Sequence, residues 1–77
     1  MKVFKRYSFV SPLTGERTWR PSYMVANVED MDAVSKFIVT DVSENGSEFE
    51  VDAGEKGRMV FKSENSLYRT WIEYTWH

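Results

Sequence analysis

The tripeptide Arg-Thr-Trp occurs twice, as Arg17-Thr18-Trp19 and as Arg69-Thr70-Trp71, each in a stretch rich in aromatic and β-branched residues. If both copies are strands, the Arg and Trp of each share a face, because side chains alternate with period two. A guanidinium beside an indole forms cation–π contacts, and Trp and Arg are the residues that dominate interface energetics. The chemistry this pattern offers is binding of a macromolecule rather than bond making.

Nothing else in the chain assembles a catalytic set. The sole histidine, His77, is the final residue. A terminus is a poor place to hold a general base or a metal ligand. There is no cysteine, which removes disulfides, thiol redox chemistry, Cys-based zinc sites and iron–sulfur clusters. The four glycines form neither a dinucleotide fingerprint nor a phosphate loop, and Gly54-Glu55-Lys56-Gly57 reads as a turn between strands. The expectation is a protein that is not an enzyme, with no catalytic residue, no metal and no cofactor.

Two charged groupings qualify as binding surfaces. In Glu48-Phe49-Glu50-Val51-Asp52, a strand would put Glu48, Glu50 and Asp52 on one face and the apolar pair on the other. Such an acidic stripe could meet a basic partner. The second grouping is Lys2, Lys5, Arg6, Arg17 and Arg20, interleaved with Phe4, Tyr7, Phe9 and Trp19. Positive grooves with stacking aromatics are how small β-barrels hold single-stranded nucleic acid.

The net charge of −2 conceals a polarity. Residues 1–20 carry five bases against the single acid Glu16, whereas residues 21–66 carry ten acids against four bases. Charge of this kind steers partners and says nothing of fold. The pI near 5.3 speaks against a dedicated nucleic-acid domain. The amino-terminal residues lack the apolar core of a signal peptide, and no apolar run approaches membrane-spanning length, so the expected location is cytoplasmic.

The elements that must position these groups follow from local pattern. Lys2–Val10 reads as a strand ended by the turn residues Ser11-Pro12-Leu13-Thr14-Gly15. Residues 16–28 read as a second strand, interrupted at Pro21 because proline cannot donate to a ladder. Apolar residues at 28, 31 and 34, a cap at Asn27 and three nearby acids predict a short helix over 28–36. Residues 37–42 and 48–53 read as a hairpin about Asn45-Gly46. Residues 58–62 read as a further strand, with another turn at 63–66. The last segment, 67–76, alternates as a strand with Tyr68, Thr70, Ile72, Tyr74 and Trp76 on one side. A helical spacing also fits it.

The expected class is mainly β: one small domain over 1–77, a curled antiparallel sheet or barrel of five to six strands with one short helix. The alternative is α+β with a C-terminal helix. Within it, Trp19 shares a face with Tyr23 and Val25 and reads as core. Trp71 falls between Arg69 and Glu73 on the polar side and reads as a partner-binding anchor. The function expected is a small protein that blocks or modulates a macromolecular partner, most readily a protein. Phage and mobile-element inhibitors of host machinery, anti-CRISPR proteins among them, are of this kind, by analogy with a class alone. The competing expectation is binding of RNA or single-stranded DNA through the basic aromatic residues. Neither expectation involves a membrane or a small-molecule substrate.

Overall fold

The computed structural model describes residues 1–11, 13–46, 48–64 and 69–77. Lys2–Val10 forms β1, Arg17–Trp19 β2, Tyr23–Asn27 β3, Met31–Glu44 α1, Glu50–Glu55 β4, Arg58–Glu64 β5 and Arg69–Trp76 β6. All pairings are antiparallel, in the order β2-β1-β6-β5-β4, with β3 also on β1. The protein is thus mainly β with one helix, and the sheet is open, not closed into a barrel.

β2 and β3 line one edge of β1 in two pieces. β2 pairs with Ser8–Val10 and β3 with Lys2–Lys5. The break falls at Arg20-Pro21-Ser22, where Pro21 has no N–H to give a ladder. Arg20 still donates its backbone N–H to the Tyr7 carbonyl at 2.7 Å, so the chain stays tied to β1 across the gap. At the other edge, β4 and β5 turn on Lys56-Gly57, and Gly57 takes a φ of 81° that a side chain would resist.

The C-terminal segment is a strand from residue 69 onward. Alternation sends Ile72 and Tyr74 inward, where both are fully buried. Leu67, Tyr68 and part of the expected turn at 63–66 lie outside the described residues, and Ser63 and Glu64 belong to β5. The core lies between α1 and one face of the sheet. It consists of Val3, Phe61, Ile72 and Tyr74 from the strands and Val34 and Ile38 from the helix. Each such side chain taken from water contributes roughly 1.5–3 kcal/mol.

The helix differs from expectation at both ends. Its N-cap is Asp30, whose carboxylate accepts from the Ala33 N–H at 2.9 Å, rather than Asn27, which ends β3. It then runs on to Glu44, through residues 37–42 that read locally as a strand. Val34, Phe37, Ile38 and Val42 recur at helical spacing and pack on the core, and that burial overrides the β preference of Ile38, Val39 and Thr40. Asn45-Gly46 consequently stops a helix instead of turning a hairpin. Asn45 is the C-cap at φ −83°, and Gly46 follows at φ 135°. β4 is left as an edge strand with its partner β5 on one side only.

Candidate functional site

The face of the sheet turned away from α1 carries the charged and aromatic residues, and register fixes which they are. Ser8 on β1 lies opposite Trp19 on β2 and opposite Trp71 on β6. Two indoles therefore flank one small hydroxyl, two strand spacings or roughly 10 Å apart. Arg17 shares this face with Trp19 and folds back into the slot. Its guanidinium lies 4.1 Å from the Trp71 ring centre and 4.8 Å from that of Trp19. Its Nε donates to the Ser8 Oγ at 3.3 Å. Arg6 covers Trp19 at 4.4 Å, so cations and indoles alternate as Arg6, Trp19, Arg17, Trp71. The two Arg-Thr-Trp copies meet here: the arginine of the first stacks on the tryptophan of the second.

Next to this ladder, Glu73 sits opposite Arg6 and Val60 in the register. It accepts from Arg6 Nε at 2.6 Å, Arg6 Nη2 at 3.1 Å and Arg58 Nε at 2.7 Å. Burial alone would raise the Glu73 pKa, but the hydrogen bonds from Arg6 and Arg58 outweigh it and hold the carboxyl below the usual glutamate range. Arg58 also reaches Glu55 at 3.3 Å. Toward the β4 edge, Lys62 pairs with Asp52 at 3.7 Å, and at the far end of β6 Arg69 pairs with Glu64 at 3.5 Å.

These placements sort the expected site residues. Trp71, Arg69 and Glu73 do share the helix-free face. Trp71 is only 8% exposed, however, because Arg17 lies over it, and Arg69 turns to Glu64 instead of stacking on its neighbour. Trp19 is on this same face and half-buried, not in the core with Val25. The break at Arg20-Pro21-Ser22 separates the two strands, so side-chain alternation does not carry across it. Glu50 and Asp52 flank Lys62 on the same face, with Asp52 at a bulge in β4, and exposed Glu48 precedes that strand. With Phe49, Lys62 and Glu64, Glu48 and Glu50 line a shallow acidic depression.

The basic grouping is divided between faces. Lys2, Arg6 and Arg17 take the helix-free side. Exposed Arg20 follows β2 beside Phe9 and Thr18. Lys5 points the other way, under the helix, and is 5% exposed. There its Nζ donates to Asp41 Oδ2 at 2.7 Å, an oxygen that also accepts from the Tyr74 hydroxyl. Burial alone would lower the Lys5 pKa, but the hydrogen bond to Asp41 and the nearby carboxylate charge prevail and leave it above the ordinary lysine value. Burial first, and the Asp41 hydrogen bond second, push the Tyr74 phenol above its ordinary value. The cluster ties α1 to the sheet and keeps its proton donors protonated, which suits a structural tie rather than proton transfer.

Ser8, Arg58 and Lys62 were not singled out by sequence reasoning. A small residue in β1 between two bulky positions was the available signal for Ser8, but it becomes readable only once β2 and β6 are known to flank β1. No cluster of metal-ligating residues occurs among the described residues, and no helix there is long and apolar enough to cross a membrane. No family model, curated protein or solved structure matches the chain.

Proposed function

We propose that this chain is a small binding protein that docks its helix-free sheet face on a protein partner and thereby blocks or modulates it. One observation carries the reading: this face presents an arginine–tryptophan ladder whose side chains are already locked together before any partner arrives. Binding normally costs the freedom of long interface side chains, about 0.5–1.5 kcal/mol for each. Arg6 and Arg17, held by indoles and by Glu73 and Ser8, have given up much of that freedom on folding. The inhibitory role seen in phage and mobile-element proteins falls within this reading and rests on analogy alone.

Single-stranded nucleic acid fits the face less well. Base stacking needs open aromatic faces, whereas Arg6 and Arg17 lie on Trp19, and Arg17 on Trp71. A phosphate chain needs several unpaired cations, yet Arg6, Arg58, Lys62 and Arg69 are each paired with a carboxylate.

Site-specific photo-cross-linking tests the reading. A cross-linking residue at Thr75 or Lys62, on the helix-free face, should capture one partner from an extract of the producing cells, identified by mass spectrometry. The same group at Val39, exposed on α1, should capture nothing. Capture of that partner from Val39 alone would refute the proposal.

A further inference from the structure

We infer that Arg17 is a carboxylate receptor: the fork of its two Nη groups takes one aspartate or glutamate side chain of the protein partner. This rests on the reading of the helix-free face as a docking surface and goes beyond it by naming what the partner brings.

The geometry assigns each part of the guanidinium a role. Its guanidinium carbon lies over both indole rings, 4.8 Å from the centre of Trp19 and 4.1 Å from that of Trp71. Its inner edge is engaged, since Nε donates to Ser8 Oγ at the floor of the slot. That leaves the two Nη groups, which have no hydrogen-bond partner among the described residues, on an exposed residue. Among the described residues Arg17 pairs with no carboxylate, unlike Arg6, Arg58, Lys62 and Arg69 on the same face. A planar fork fixed in orientation matches a carboxylate with two parallel hydrogen bonds. The neighbouring indoles lower the polarity around the cation, which strengthens its attraction for an anion.

A carboxylate is favoured over phosphate by number. Phosphate chains are gripped by many cations at once, and Arg17 is flanked by neutralised ones. Lys2 is the other cation of this face without an ion pair among the described residues, and it lies at the far end of β1 from Ser8. One isolated, oriented fork suits a single acidic side chain set in a protein surface.

The test uses the full chain, isotope-labelled, with the Arg17 Nε–H and the Trp19 and Trp71 indole N–H signals followed by NMR at low salt. A short oligoglutamate peptide should shift these three signals together. Arg17→Lys keeps the charge and loses the fork, and should weaken the peptide about tenfold. Arg17→Gln should remove the shifts altogether while the remaining spectrum stays folded. If Arg17→Gln fails to fold, Arg17→Lys decides. Peptide binding unchanged in both variants, or binding that leaves Arg17 unmoved, overturns the inference. So does inorganic phosphate that moves the same signals as tightly as the peptide. Tighter binding of an oligothymidylate through Arg17, with affinity falling steeply between roughly 50 and 200 mM salt, overturns it in favour of nucleic acid. A partner that still cross-links from Thr75 when the peptide fails would sink the carboxylate assignment and leave the docking surface standing.

Discussion

Lys5 and Arg6 are consecutive cations on one strand, and they show how the two faces of the sheet differ. Lys5 turns under α1 and is nearly sealed from water, donating to Asp41, whose same oxygen accepts from the Tyr74 hydroxyl. Arg6 turns to the face without a helix, keeps about a third of its side chain exposed (35%) and divides itself between Glu73 and Trp19. On the first face, polar groups serve the fold, because a buried ion that lost its partner would be costly. On the second, charged and aromatic groups cover one another and remain within reach of a partner. Burial alone does not separate structure from function here. Val60, Trp71, Glu73 and Ser8 are all buried on the helix-free side, the last three in contact with arginines.

Substitutions can break this contrast in order of effect. The largest loss should follow Ile72→Ala, which empties the core beneath α1 and should cost about 3–5 kcal/mol. Trp71→Ala, its chain neighbour on the other face, should cost roughly 2–3 kcal/mol, since Arg17 above it can collapse into the space. Urea unfolding of the two variants measures the difference. A Trp71→Ala loss equal to that of Ile72→Ala would mean that the helix-free face is a second core.

Lys5→Met and Arg6→Met form the next pair. Loss of Lys5 strips Asp41 of a buried cation and should cost about 1–3 kcal/mol. Arg6→Met should cost roughly 0.5–1.5 kcal/mol, because Glu73 keeps Arg58 and the lost pair was partly in water. Equal losses would erase the distinction drawn between the faces.

The same pairs act at opposite ends of the pH scale. Glu73 is held below its ordinary pKa, so its stabilisation is present above about 4.5, the ordinary value, and fades as pH falls through the lowered one. Lys5 is raised above 10.5, so its contribution is present below that value and is lost as pH rises through the folded-state one. Thermal melts across pH should show Glu73→Gln flattening the acid limb and Lys5→Met the alkaline limb. Crossed effects would contradict the assignment. The smallest effect on stability is expected from Arg17→Gln, within about 1 kcal/mol, from loss of its cation–π contacts.

Much of this arrangement was legible in the sequence, and what escaped it has a common physical origin. Alternation placed β1 and β6 and put Ile72 and Tyr74 inward and Arg69, Trp71 and Glu73 outward. The break at Pro21 was also visible. The helix was cut short because four of residues 37–42 (Ile38, Val39, Thr40 and Val42) are β-branched and Asn45-Gly46 imitates a hairpin turn. Only packing of Phe37, Ile38 and Val42 on the sheet decides otherwise. Lys5 was grouped with Arg6 by charge although period two separates them. The contact between Arg17 and Trp71 joins β2 to β6 across β1, and strand order of that kind is a long-range property that no local pattern carries.

The most direct measurement of the central claim is the affinity of the cross-linked partner, once purified, for the wild-type chain, Arg17→Lys and Arg17→Gln. The account predicts that both variants stay folded and that each binds at least about tenfold more weakly, because the lost fork hydrogen-bonds a charged group. Equal affinity in all three proteins would contradict it.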